Sequence, residues 1–200
     1  MAESRTVDRS SERQHIIDAA YRCFDRNSGS SVSITEILDE AGVGTRAFYR
    51  NFSTKHDLLL EMFRRDREAV QAQLREVVAR AETPVEALRA WMTHLLEVAS
   101  HPRKRKRMAV FYSEEMRRTP GYERELELVT AADQASIAAI LHRGKAEGVF
   151  TRCTPEADAR TICAAVEAAL LDRFHQKSTG TVEEDVEQLM GFVLRGLGAA

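Results

Sequence analysis

SITEILDEAGVGTRAFYRNFSTKHDLL, residues 33–59, is the stretch whose reading decides the fold. Ser33-x-x-Glu36 has the pattern of a capping box, in which a serine hydroxyl and a glutamate three residues on satisfy each other's backbone amides at a helix start. Ile34, Ile37, Leu38 and Ala41 follow at i, i+3, i+4 and i+7, which gives one apolar face, and Gly42 stops the helix. The next helix starts at Gly44 or Thr45 and is brief, because Ser53 and Thr54-x-x-Asp57 already announce another start. Within it Phe48 and Phe52, four residues apart, share one face and leave Thr45, Arg46, Tyr49 and Arg50 on the other. Two short helices joined by a Gly-containing turn predict a helix-turn-helix unit whose reading helix is residues 45–51.

Outward from this core the pattern stays helical. Ser11-x-x-Gln14 opens a preceding helix with Ile16, Ala20, Cys23 and Phe24 on one face, ending near Asn27-Ser28-Gly29. The helix after the reading helix runs to about Ala81. Beyond Thr83-Pro84 further helices are expected at about 84–100, 103–117, 121–147, 154–177 and 182–197. His101-Pro102, Thr119-Pro120-Gly121, Gly148-Val149-Phe150 and Ser178-Thr179-Gly180 separate them. With 4 Pro and 10 Gly in 200 residues and no competing strand pattern, the prediction is an all-α chain of about nine helices. It divides into a helix-turn-helix domain over 1–56, of which 1–9 is a flexible tail, and a larger helical domain over 57–200.

The hydrophobic share of 44% and charged share of 30% suit a soluble globular chain, and no apolar run reaches the roughly 18 residues of a membrane span. Met1-Ala2-Glu3-Ser4-Arg5 lacks the apolar core of a secretory signal, so a cytoplasmic location is expected. Cys23, Cys153 and Cys163 form no Cys-x-x-Cys pair; they read as small apolar residues, and neither a metal nor a cofactor is expected. The net charge of −2 conceals a local excess: between Ala41 and His56 the charged residues are Arg46, Arg50 and Lys55, with no acid before Asp57. Arg103-Lys104-Arg105-Lys106-Arg107 is a second basic block.

An arginine at the N-terminal end of a groove-entering helix suits a bidentate contact to guanine, and the hydroxyl of Tyr49 and amide of Asn51 suit phosphate oxygens. Lys55 adds its charge to the positive end of its own helix. Singly, each is an ordinary solvated side chain. Their density on one face, opposite two phenylalanines, favours a surface made for double-stranded DNA.

Ile16-Ile17-x-Ala19-Ala20-x-x-x-Phe24, Ile34-x-x-Ile37, Ala41-Gly42-Val43 and Phe48-Tyr49-x-x-Phe52-x-x-Lys55-x-x-Leu58-Leu59 together resemble the N-terminal signature of TetR-family transcriptional regulators over residues 12 to about 62. The resemblance implies a homodimer on a palindromic operator, usually a repressor released by a small ligand. It further implies that Ser33, Tyr49 and Lys55 contact phosphate and that Thr45 and Arg46 stand among the base-reading positions. Two departures matter: Gly44 stands where the family commonly has Ser, and Arg46-Ala47 where it has Gly-Thr.

Val186, Leu189, Met190, Val193, Leu194 and Leu197 form a stripe, with Ala164, Ala165, Ala168 and Ala169 permitting close approach, so the last two helices are the expected dimer surface; a monomer core is the other reading. A pocket for the small effector is expected from Phe63, Trp91, His94, Leu95, Phe111, Tyr112, Met116, Ile137, Leu141 and Phe174, though aromatic and Met residues at helical spacing also serve as plain core. Asp133 and His142, with His94, are polar groups on partly apolar helices whose spacing fits no metal motif. The Arg103–Arg107 block is either a solvated first turn or a seat for the phosphates of a bulky anionic effector such as an acyl-coenzyme A. No nucleophile elbow, phosphate loop or dinucleotide fingerprint occurs, so an enzyme is not expected. A helix-turn-helix adaptor acting through protein contacts, and a regulator without a ligand, are the alternatives.

Overall fold

The computed structural model describes residues 2–26 and 32–199. Among them ten α-helices follow in order: α1 (Ala2–Arg26), α2 (Ile34–Ala41), α3 (Thr45–Asn51), α4 (Lys55–Ala79), α5 (Pro84–Ser100), α6 (Pro102–Phe111), α7 (Glu114–Arg117), α8 (Tyr122–Ala146), α9 (Pro155–Phe174) and α10 (Val182–Leu197). Extended pairing among the described residues is confined to one antiparallel bridge between Phe150 and Ala199. The all-α expectation therefore holds. No helix among the described residues is long and apolar enough to cross a membrane.

Apart from shifts of one to three residues at helix ends, two features differ from those predicted. α1 is helical from Ala2, ahead of the Ser11 start, so residues 2–9, expected as a flexible tail, belong to a helix. Its expected end at Asn27-Ser28-Gly29 lies outside the described residues. The single helix expected over 103–117 is two, α6 and α7, because Ser113 leaves helical geometry (φ −69°, ψ 158°) and its Oγ accepts from the Met116 amide at 3.2 Å. A serine that caps the following turn competes with continuation of the preceding one.

The chain forms two compact units, Met1–Asp66 with Lys106–Glu123, and Arg67–Arg105 with Arg124–Ala200. This division differs from the 1–56 and 57–200 expected from sequence. The first unit packs α2 and α3 on α1 through Ile16, Ile17, Ala20, Phe24, Ile37, Leu38, Phe48 and Phe52, all buried. Polar ties frame that core: the His15 ring nitrogen Nε2 lies 2.9 Å from the Ala41 carbonyl, and Glu40 accepts from Arg22 at 2.6 Å and also from Arg26.

The second unit packs α5 against α9 and α10 around Leu88, Trp91, Met92, Leu96, Ile162, Val166, Val186, Met190 and Val193. Gly144 lets the Phe150 ring lie against α8, since a Cβ there would stand 2.1 Å from the ring. α5 and α10 both begin with complete capping boxes, Thr83 with Glu86 and Thr181 with Glu184.

Candidate nucleic-acid interface

The capping box at Ser33 is complete. Its Oγ accepts from the Glu36 amide at 3.2 Å while the Glu36 carboxylate accepts from the Ser33 amide at 2.7 Å and the Ser33 hydroxyl at 2.8 Å. α2 ends at Gly42, whose φ of 63° is left-handed backbone that L side chains rarely adopt. Its amide donates to Asp39 O at 3.2 Å, and the Val43 amide donates to Leu38 O at 3.1 Å. That closure sets the turn into α3. Gly44 then caps α3 through backbone alone, with no side-chain hydrogen bond, as the departure from the family's serine implies.

α3 is anchored by its aromatic face. Phe48 is fully buried, Phe52 and Ala47 nearly so, and the two phenyl rings lie 5.7 Å apart. The opposite face exposes Thr45, Arg46, Tyr49 and Arg50. Tyr49 is 58% exposed, its ring edge-on to Phe48 at 5.4 Å. Ser33, at the start of α2, is exposed as well.

Besides Ser33, three of the residues expected at DNA have protein partners. Asn51 is half-buried and turned inward, its Nδ2 donating to Glu12 Oε1 at 2.5 Å and to Ala47 O at 2.8 Å. An amide four residues past a carbonyl of its own helix bonds back to it readily, so the Asn51 amide expected to suit phosphate oxygens is instead tied to its own chain. Arg50 forms an ion pair with the same Glu12 carboxylate. Lys55 is only 15% exposed, its Nζ lying 2.8 Å and 3.1 Å from the two carboxylate oxygens of Glu115 in α7. Glu12 and Glu115 escaped sequence reasoning because they lie 39 and 60 positions from their partners, beyond any local pattern.

The residues expected to share one effector pocket divide between the units. Phe63, Phe111, Tyr112 and Met116 belong to the first, where Phe63 meets Phe111 at 5.2 Å and Tyr122 at 5.1 Å, and the Tyr122 hydroxyl donates to Phe111 O at 2.6 Å. Met116 is fully buried and Tyr112 is 38% exposed. Trp91, His94, Leu95, Ile137, Leu141 and Phe174 belong to the second, where Trp91, Ile137 and Leu141 are buried in the hydrophobic core. His94 lines a surface cleft with Glu97, Ser100, His101 and Lys104, and burial, then the Lys104 charge, pushes its imidazole below the usual range.

Asp133 accepts from Gln71 Nε2 at 2.6 Å. Burial, partly offset by that bond and reinforced by the Glu167 charge, pushes its carboxyl up to about 6. The Cys163 thiol is pushed up to about 12 by burial and by the Asp133 and Glu167 charges. His142 lies on the surface, 2.8 Å from Glu156. Among the described residues no group of three or more His, Cys, Asp or Glu could hold a metal ion.

The basic block is neither wholly solvated nor a free anion seat. Lys106 Nζ donates to Asp25 O at 2.7 Å. Arg107 lies 3.4 Å from Asp25 and 3.8 Å from Asp66, with its guanidinium 4.3 Å above the Tyr21 ring. Tyr21 in turn donates to Asp66 at 2.8 Å.

A family model of bacterial regulatory proteins, tetR family, matches residues 16–62, from the buried Ile16 of α1 through α2 and α3 into α4. Over that stretch the chain is similar to the TetR family. The chain is 31% identical over 114 residues to the HTH-type transcriptional regulator AcrR of Shigella flexneri, a match covering 56% of this chain and 53% of AcrR. It spans about half the length of the curated relatives it matches. Among solved structures, NalD, the secondary repressor of the MexAB-OprM multidrug efflux pump in Pseudomonas aeruginosa, shares its fold with a TM-score of 0.64 over 94% of this chain and 96% of NalD at 21% identity. SmeT in complex with triclosan does so at 0.73 over 92% and 90%, at 23% identity.

Proposed function

We propose that this chain is a transcriptional regulator that binds a palindromic operator as a homodimer and represses until a small, largely hydrophobic effector releases it. The observation that carries the reading is the two-faced α3 of its TetR domain: Phe48 and Phe52 bury one side while Thr45, Arg46 and Tyr49 stand exposed on the other. Arg46 reads a base edge, and Tyr49, Ser33 and Lys55 take phosphates, the last two at helix starts where the backbone dipole favours an anion. Arg50 belongs to the same set once it leaves Glu12.

Two-fold operators call for a two-fold protein. Val186, Met190, Val193 and Leu197 of α10 are buried within their own chain, because α10 packs on α5 and α9, so the expected stripe is corrected at those four positions. The face left for a partner carries Phe192, 60% exposed, with Leu189 and Leu194 half-buried and Ala164 and Ala168 of α9 exposed.

An effector is supported by the likeness to SmeT, which binds triclosan. Effector binding acts by shifting the population between dimer geometries whose reading heads do and do not match the half-sites. α4 carries both Lys55 and Phe63 and is the natural element to bias. A chain that works on DNA works in the cytoplasm. Selection of bound fragments from genomic DNA tests the reading: a shared palindrome among the fragments is expected, and fragments without a common sequence would overturn it.

A further inference from the structure

Two cations of the reading head, Arg50 and Lys55, carry intramolecular carboxylates where DNA phosphates are expected. Lys55 Nζ contacts both oxygens of Glu115, at 2.8 Å and 3.1 Å, and is 15% exposed. Glu12 pairs with Arg50 and is fixed in that position by accepting from Asn51. Neither acid is a loose surface residue. Glu115 sits in the first turn of α7, which Ser113 caps and the fully buried Met116 anchors, and the Thr119 hydroxyl holds its carbonyl at 3.1 Å. Glu12 keeps only 22% of its side chain exposed.

We infer that Glu12 and Glu115 are built-in phosphate competitors that hold down sequence-independent DNA binding; this rests on the DNA-binding reading above. Non-specific affinity comes from cations that neutralise phosphates and release condensed counterions, and each such contact contributes about 0.9 to the slope of log K against log salt. A lysine or arginine already neutralised by a carboxylate gains little from a phosphate, because one anion replaces another. In a loose encounter with arbitrary DNA the two carboxylates keep their cations. Recognition then depends on close docking through the base-reading positions. A net charge of −2 over the whole chain acts in the same direction.

The test is a titration of the full chain with a random-sequence 30-base-pair duplex, read by fluorescence anisotropy across a potassium chloride series. Glu115→Gln and Glu12→Gln keep side-chain shape and one acceptor oxygen while removing the charge. Each is expected to tighten duplex binding about two- to fivefold at low salt, the range of an exposed ion pair, and to steepen the salt slope by about one. Glu114→Gln removes the same charge one residue away, where the partner is the exposed Arg118, and leaves the slope unchanged. Lys55→Gln added to Glu115→Gln returns the slope to that of the wild type. Weaker binding in the two variants, unmoved slopes, or an equal change in all three single variants overturns the inference while leaving the DNA-binding reading intact. Absence of any duplex binding by wild type and variants at low salt overturns both.

Discussion

Asn51 of α3 and Glu12 of α1 meet at 2.5 Å, amide to carboxylate, and tie the end of the reading helix to the helix beneath it. With the back-bond to Ala47 O, this makes Asn51 a positioning residue. Asn51→Ala is expected to destabilise the protein by about 1–3 kcal/mol, the scale of a hydrogen bond to a charged group. Random-duplex affinity should stay within about twofold, since phosphate contacts come from the outward residues. Urea unfolding and duplex titration read the two effects, and a large loss of DNA affinity without loss of stability would restore Asn51 to the DNA-facing set.

Gly44 caps α3 with no side-chain acceptor. Its φ of −83° suits any residue, and a Cβ there meets nothing within 4 Å. Gly44→Ser supplies the missing hydroxyl and reduces the freedom of the unfolded chain, so a gain of about 0.5–1 kcal/mol is expected. Denaturant titration checks it.

Asp133 gives stability a pH dependence with a defined sign. Its folded carboxyl titrates near 6, above the ordinary 3.8, because burial disfavours the charge. The contribution is therefore fully present below about 4 and lost as pH rises through about 6. Asp133→Asn keeps an acceptor for Gln71 and removes the charge, so it should raise stability at pH 7.5 by on the order of 1–3 kcal/mol and change it little at pH 4. Thermal unfolding across that range shows the convergence.

Phe192 is the large apolar side chain that α10 leaves outside its own core, and the proposed dimer needs it covered. Phe192→Glu places a charge in that interface without touching the buried stripe. Light scattering should report one chain of 22.5 kDa for the variant and twice that mass for the wild type. Equal masses would move the interface elsewhere.

What sequence made legible was local. Ser33 and Glu36 three apart, Phe48 and Phe52 four apart, and a glycine at position 42 whose φ is positive each define geometry within one or two turns, and the structure has all three features. The Ser113 break was missed because a serine amid helix formers carries a weak signal until its hydroxyl is seen capping Met116. The partners of Arg50, Asn51 and Lys55 come from acids dozens of residues distant, and periodicity is silent about such pairs. The α10 stripe was legible as apolar, yet spacing does not say whether a stripe faces its own chain or another. Only the packing of α5 on α10 decides that.

The claim on which the rest depends is that α3 reads DNA through Arg46, exposed at the N-terminal end of the helix. The direct measurement compares the affinities of wild type and Arg46→Ala for the selected palindrome and for a random duplex at one salt concentration. Loss of a bidentate base contact should weaken palindrome binding by about 1–3 kcal/mol, roughly five- to 150-fold, and relax selection at one base pair in each half-site, with much less change on random DNA. Equal losses on both duplexes would contradict base reading by α3.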